Sequence, residues 1–315
     1  MAVTPVGNPY VESSDLVANY PGASEALAER IDIVGVNPFA NAAARDAAIP
    51  SPVQGQMCSL NDDNKGYRYD GSAWVLFSGA GDANFTNAAT GTYTDGGISY
   101  KYITFTGSGS LVVDRAGFAD VLVIGGGGGG SIGVSGSHFG AGGAAGTVSN
   151  GLVFLSQSTH TITIGAGGAL NAGGFASIIG VLNVILSSSG GGIENVVRLG
   201  GINTFFTGGT NAATISGGGG AGNSANGSNA VSGLLGGAGG AGVSSSITGA
   251  AVTRGGGGGG GGSTGGAGGS GGGGAGGSGG AATNGSINLG GGAGGGATVN
   301  TSTGGSGLVI VRVVV

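Results

Sequence analysis

The chain has 315 residues, 83 of them glycine, and a net charge of −5 at neutral pH. This length suits one large domain or two to three small ones, and the absence of a basic run makes nucleic acid a poor partner. The single cysteine, Cys58, excludes an intrachain disulfide framework.

Targeting and membrane signals are weak. The opening residues MAVTPVGNPYVESS lack the basic start and apolar core of a signal peptide. The best membrane candidate, FASIIGVLNVIL, is too short to span a bilayer and contains Asn183. We therefore expect a soluble protein that is made without secretion and does not insert into a membrane.

The composition changes near residue 120. Residues 1–120 hold only 14 of the 83 glycines, and all six prolines lie at or before Pro52. After Asp120 the charged residues are Glu194, Arg198, Arg254 and Arg312. This change predicts a domain boundary near residue 120.

Two short helices are predicted near the amino terminus. In ASEALAERIDIVG, Ser24 can cap a helix, Glu25 lies in its first turn and Gly35 follows its end. A second, weaker helix is predicted in ANAAARDAA, which is stopped by Pro50 and Pro52. Helices this short are marginal alone, so we expect them to pack on other elements.

The stretch QGQMCSLNDDNKGYRYDGSAWVLFSG predicts a three-stranded β-meander. Its turn signals NDDNKG and DG separate the strand-like runs and bring Tyr69 close to Trp74. The carboxylates of Asp62, Asp63 and Asp70 suggest a calcium loop. EF-hand spacing is absent, which favours an ordinary solvated turn.

Strand-like sequence continues through residues 88–123 and returns at the carboxyl end. Tyr100, Tyr102 and Phe105, with neighbouring Thr and Ile, fit a half-buried sheet. The last residues, GLVIVRVVV, form a strong strand, which we expect to pair with another strand.

The glycine runs predict a packed structure. Flexible linkers lack apolar anchors, whereas these runs alternate with pieces such as VLVI and GLVFL. From Thr264, a small residue recurs every third position with two glycines between, which matches an extended helix of three residues per turn. Collagen is excluded because it needs glycine every third residue and abundant proline. We therefore predict layers of polyglycine-II helices, with a turn near Gly273–Gly274.

Two stretches carry a resemblance to a known family. TGSGSLVVDRAGFADVLVIGGGGGG, THTITIGAGG and GGSGLVIVRVVV resemble the glycine-rich domain of bacteriophage tail-fibre and adhesin proteins. RDAAIPSPVQGQMCSLNDDNKGYRYDGSAWV is similar to a short module found near the amino terminus of phage tail proteins. The resemblance implies a polyglycine-II sandwich as scaffold, with variable loops that contact receptors on the bacterial surface.

The expected fold is mainly β and irregular, with a short helix and a β-meander before packed polyglycine-II helices flanked by β-strands. The analogy with fibres implies a homotrimer. The expected domains are a virion-attachment segment (1–35), the meander module (36–78), a β-rich connecting region (79–120) and the glycine-rich domain (121–315).

Enzymatic motifs are weak. Gly125, Gly127 and Gly130 match GxGxxG after a strand, but the following SIGVSGSHFGAGG cannot open a helix and no acid follows about twenty residues on. No GK[ST] follows a glycine run, so a P-loop is not predicted. The glycine-rich half offers one carboxylate, Glu194, and the chain has two histidines, His138 and His160. We therefore expect no enzyme activity, no cofactor and no metal.

The candidate receptor contacts are the bulky and polar residues that glycine helices do not need. Aromatic and arginine side chains dominate binding hot spots, and aromatic faces suit sugar rings. Core packing remains an alternative role for Phe205 and Phe206, and carbonyl capping or solubility for Arg254. The candidates are His138, Phe139, Glu194, Arg198, Asn203, Phe205, Phe206 and Arg254.

The expected function is that of a phage tail fibre or receptor-binding protein of the virion. Its expected partners are other tail or virion proteins and a host surface glycan or outer-membrane protein. Two alternatives stay open: a structural virion component, such as a head fibre or decoration protein, and an ice-binding polyglycine-II protein with a flat Thr/Ala face.

Overall fold

The computed structural model describes most of the chain in two compact units, Met1–Gly81 and Asp82–Val315. The predicted helix over residues 24–34 lies outside the described residues. The described ranges are 2–3, 9–10, 36–62, 65–76, 81–133, 139–181, 184–188, 206–210, 216–231, 235–280, 282–296 and 302–315.

The described part of the first unit contains a four-stranded sheet, one helix and a separate two-stranded sheet. The predicted meander is confirmed as antiparallel strands β4 (Met57–Leu60), β5 (Lys65–Tyr69) and β6 (Trp74–Leu76). A fourth strand, β3 (Val36–Phe39), pairs in parallel with β4. Helix α1 (Ala42–Ala48) connects β3 to β4, and such a crossover is what a parallel pair needs. A separate two-stranded sheet pairs β1 (Ala2–Val3) with β2 (Pro9–Tyr10).

Contacts between side chains and backbone groups a few residues apart explain why α1 starts where it does and why the chain turns after β5. The side chain of Asn41 accepts a hydrogen bond from the backbone N–H of Ala44 at 2.9 Å, which caps the predicted second helix. Tyr69 and Trp74 are cross-strand partners, and their rings meet edge to face at 5.6 Å. The carboxylate of Asp70 accepts hydrogen bonds from Ser72 and Ala73, as in an ordinary polar turn.

The second unit contains a β-sandwich. One sheet has the strand order β15-β14-β13-β10-β7 and the other β12-β11-β18-β9-β8, with antiparallel pairing throughout. A separate hairpin pairs β16 (Val243–Ser245) with β17 (Val252–Arg254). The strands of the sandwich are β7 (Asn84–Phe85), β8 (Gly91–Asp95), β9 (Ile98–Phe105), β10 (Gly109–Arg115), β11 (Gly117–Ile124), β12 (Val148–Leu155), β13 (Thr159–Thr163), β14 (Ser177–Val181), β15 (Val184–Ser188) and β18 (Leu308–Val314).

The hydrophobic core lies between the two sheets. Leu111 and Ile162 contribute from one sheet, and Val121, Val123 and Val311 from the other. The carboxyl-terminal strand β18 lies between β11 and β9, so the pairing expected for GLVIVRVVV is confirmed.

The change in composition near residue 120 does not coincide with a break in the fold. Residue 120 lies inside β11, which pairs with β18 at the end of the chain and with β12. Strands β8 to β11, from the region expected to act as a connector, belong to the same sandwich. Glycine content follows the local conformation, whereas the sandwich is assembled from strands on both sides of the glycine runs.

The glycine runs form an array of extended segments joined by backbone hydrogen bonds. All the glycines of the central segment, residues 255–262, are buried. Residues 256–262 of this segment donate to three neighbouring segments and accept from three others, with N···O distances of 2.7–3.1 Å, while Gly255 at its start donates to Leu289 and accepts from Asn223. The donor–acceptor pairs of residues 256–262 are 256–271, 259–274, 262–277, 257–240, 260–237, 258–143, 261–140, 269–257, 266–260, 220–258, 217–261, 292–256 and 295–259.

Each neighbour of the central segment is thus contacted at every third residue. At this spacing, backbone N–H and C=O groups are satisfied without a regular sheet. The small side chains between the glycines in the next segment, Thr264, Ala267 and Ser270, are exposed. The turn after that segment lies at Ser270–Gly272, one residue before the predicted position, where Gly271 and Gly272 have φ values of 92° and 102°.

Candidate functional site

A row of four neighbouring side chains crosses the outer face of the sheet that contains β18. Strand pairing places Leu152 beside Asp120, Asp120 beside Arg312, and Arg312 beside Tyr102. This face points away from the sandwich core, because Ala119 and Val121 of β11 point into that core. The row therefore combines an apolar side chain, an ion pair and a phenol on one accessible surface.

Arg312 is fixed by three contacts. Its Nε donates to Oδ2 of Asp120 at 3.0 Å, a terminal nitrogen donates to the hydroxyl of Tyr93, and the guanidinium lies 4.6 Å from the centre of the Tyr100 ring. Burial lowers the pKa of Arg312, but the hydrogen bonds to Asp120 and Tyr93 raise it by more, so its pKa lies above the ordinary value. The cation is therefore permanent and already paired.

Strand β16 and the loop after it form the opposite wall. Ile247 packs on the outer sheet face with Leu122 and Ile310, and its carbonyl lies 3.4 Å from the hydroxyl of Tyr93. Together the loop and the sheet enclose a groove of about 360 Å³. We call it the outer groove, and its lining residues are Asp95, Asp120, Val121, Asn150, Gly151, Leu152, Ser244, Ser245, Ser246, Ile247 and Arg312.

A second hollow adjoins the outer groove and shares Asn150, Ser244 and Ser245 with it. Its volume is about 370 Å³, and its walls include Leu122 and Phe206. Phe206 is half-buried. Phe206, one of the contact residues predicted from the sequence, therefore lines this second hollow.

The other predicted contacts are not brought together with Phe206 in the described part of the chain. Phe139 is half-buried at the start of a glycine segment, with its Cβ beside Gly261. Arg254 ends strand β17 and is 6 % exposed. Its guanidinium donates to the carbonyl of Val252 at 3.3 Å, and burial lowers its pKa. So buried a side chain presents little surface to a receptor.

Five predicted contacts lie outside the described residues, so their roles stay predictions. They are His138, Glu194, Arg198, Asn203 and Phe205.

The GxGxxG match belongs to the glycine array. The backbone N–H of Gly125 donates to the carbonyl of Thr147, and that of Gly127 donates to Gly305. These donors are therefore engaged within the protein and do not point into a phosphate cradle. Among the described residues, no group of three or more His, Cys, Asp or Glu side chains could hold a metal ion, and no described helix could span a membrane.

The outer groove was missed by sequence reasoning because its residues come from distant segments. Asp95, Asp120, Asn150 and the serines of residues 244–246 carry no common motif. One signal was available: Asp120 and Arg312 are the charged residues nearest the two ends of a glycine-rich stretch that holds few others. Their pairing follows once β11 and β18 are recognised as neighbours.

The comparisons with known proteins identify one family. Residues 104–314 match the family model described as a glycine-rich domain, a span that runs from β9 to the end of β18. No curated protein and no solved structure matches the chain. Because the match covers more than half of the sequence, the chain belongs to the glycine-rich domain family.

Proposed function

We propose that this protein is a bacteriophage tail fibre protein that binds a receptor on the host cell surface without chemistry. The observation that carries the proposal is the hydrogen bonding of residues 255–262 to six neighbouring segments. Such an array makes a stiff scaffold from which connecting loops can present contact residues. It also agrees with the resemblance of the glycine repeats to phage fibre and adhesin domains.

In this proposal the array is a polyglycine-II sandwich. Three residues per turn place successive N–H groups about 120° apart, so each of three neighbours is met at every third residue. The three sets of acceptors to which residues 256–262 donate support this geometry. With no side chains, the segments can approach closely enough for backbone groups to bond directly.

The proposed partners follow from the same assignment. Residues 1–35 attach the protein to other tail or virion proteins, three copies associate as a homotrimer, and the second unit contacts a host glycan or outer-membrane protein. Many copies on one virion would turn weak single contacts into firm attachment. The proposed location is therefore the virion tail.

The test measures binding of the purified, fluorescently labelled full chain across a panel of bacterial strains. We expect strain-selective binding, and we expect the free protein to compete with adsorption of the phage that carries it. Detection of the protein in purified virions, together with binding to no strain that this phage infects, would overturn the receptor role and favour a structural virion component.

One observation favours a second candidate, an ice-binding protein. Thr264, Ala267 and Ser270 recur at three-residue intervals along an exposed face of the array. A regular small-residue face of this kind is what an ice-binding polyglycine-II bundle would use. Freezing hysteresis in a solution of the full chain would support that candidate, and its absence would exclude it.

A further inference from the structure

The outer groove carries polar groups that the protein itself does not use. Asp95 and Asn150 are exposed and line the groove, and no side-chain hydrogen bond to either is found among the described residues. Ser244 and Ser246 add exposed hydroxyl groups. A carboxylate accepts hydrogen bonds, and an amide or hydroxyl both donates and accepts. The wall is therefore suited to a ligand that carries many hydroxyl groups.

The charge of the groove disfavours an acidic ligand. Its carboxylates, from Asp95 and Asp120, outnumber its one cation, Arg312. The Arg312 guanidinium is already engaged by Asp120 and Tyr93 and lies over the Tyr100 ring. A phosphate or a sugar acid would therefore meet a net negative surface whose only positive group is paired.

Apolar side chains lie in the groove and also next to it, two residues further along strands β11 and β12 on the same sheet face. Leu152 lines the groove and is 65 % exposed. Two positions along the strands, Phe118 and Phe154 are cross-strand partners, and their rings meet edge to face at 5.6 Å. Both remain partly exposed, at 39 % and 44 %. Apolar side chains beside hydroxyl-binding groups match the two faces of a sugar ring, one rich in C–H and one rich in O–H.

We infer that the outer groove binds a neutral saccharide unit of a host surface glycan. Asp95, Asn150, Ser244 and Ser246 bind its hydroxyl groups, and Leu152 lies against the apolar face of the sugar. This inference rests on the proposed function, because it assigns the receptor class to that function. The ion pair of Asp120 and Arg312 forms the rigid base of the groove, and Arg312 holds the hydroxyl of Tyr93 in place. The exposed groove binds one sugar unit weakly, and multiple copies provide avidity.

The test uses saturation-transfer NMR on the full chain with three probes: D-galactose, N-acetyl-D-glucosamine and D-glucuronate. We expect saturation transfer to at least one neutral sugar at millimolar concentration and none to glucuronate. The variants Asn150→Ala and Leu152→Ser should each weaken binding about tenfold, which corresponds to about 1.4 kcal/mol. Thr161→Ala, an exposed polar substitution on the other sheet, is the matched control and should leave binding unchanged.

Three outcomes would overturn the inference: no transfer to either neutral sugar, stronger binding of glucuronate, or equal binding by Asn150→Ala and Thr161→Ala. Thermal melting of each variant shows whether a loss of binding reflects unfolding. Cell binding separates this inference from the proposed function. If the chain binds host cells but Asn150→Ala binds them equally well, the groove assignment fails and the fibre function stands. Sugar binding by a protein absent from virions leaves the groove assignment intact and removes the fibre function.

Discussion

Replacing Gly258 with alanine should destabilise the second unit strongly. Gly258 donates its N–H to the carbonyl of Gly143 at 2.9 Å and accepts a hydrogen bond from Gly220 at 2.7 Å. A Cβ at this position would lie closer than 3.0 Å to the carbonyl group of Ala293. Real Cβ atoms do not occupy such positions, so the neighbouring segment has to move.

The segment that contains Ala293 is itself held by hydrogen bonds. The N–H of Ala293 donates to the carbonyl of Gly128 at 3.0 Å, and the carbonyl of Ala293 accepts from the N–H of Gly143 at 2.8 Å. Overpacking a core costs typically 1–3 kcal/mol, and we expect about 3 kcal/mol here because the displaced atoms are backbone on both sides. For a domain of this size that loss lowers the melting temperature by about 6–12 °C. Gly258→Val should prevent folding of the unit.

The control is Gly280→Ala. Gly280 is exposed, and a Cβ there would meet nothing within 4 Å. Alanine should leave the unit unchanged or stabilise it by about 0.4–1 kcal/mol, since it reduces the freedom of the unfolded chain. The assay is thermal melting of the two full-length variants by circular dichroism. Equal melting temperatures for Gly258→Ala and Gly280→Ala would refute the close-packed array.

Three further predictions test other parts of the chain. Deletion of residues 308–315 removes β18, whose Val309 and Val311 are fully buried, and should leave the second unit unfolded, as judged by soluble yield and circular dichroism. Hydrogen bonds from Ala73 and Ser72 lower the pKa of Asp70, so NMR titration should place it below the ordinary aspartate range. The turn is then stabilised above about pH 4 and loses that stabilisation as pH falls through the lowered pKa, whereas Asp70→Asn should show no such dependence. Arg254→Met should melt at the same or a higher temperature, because the Nε of this buried guanidinium has no hydrogen-bond partner among the described residues. A drop of several degrees would contradict this and show that the hydrogen bond to Val252 outweighs the cost of burying the charge.

Local features of the fold could be predicted where a few adjacent residues decide them. Asn41 and Pro50 bound the short helix, and Asp70 with Gly71 sets the turn between Tyr69 and Trp74. The helix cap and the turn each join residues at most five positions apart, so their geometry follows from side-chain chemistry and backbone preference alone. The parallel strand β3 was missed because its partner is set by how α1 packs, which no local pattern records.

The sequence by itself determined that the glycine runs alternate with strands, that small side chains repeat every third residue after Thr264, and that the last strand needs partners. Only the tertiary structure decided which segments are neighbours. Glycine has no side chain with which to specify a partner or register, so the six neighbouring segments that bond to residues 255–262 are set by the packing of the whole array. The outer groove has the same origin. Asp120 and Arg312 are 192 positions apart and meet only because β18 returns to pair with β11.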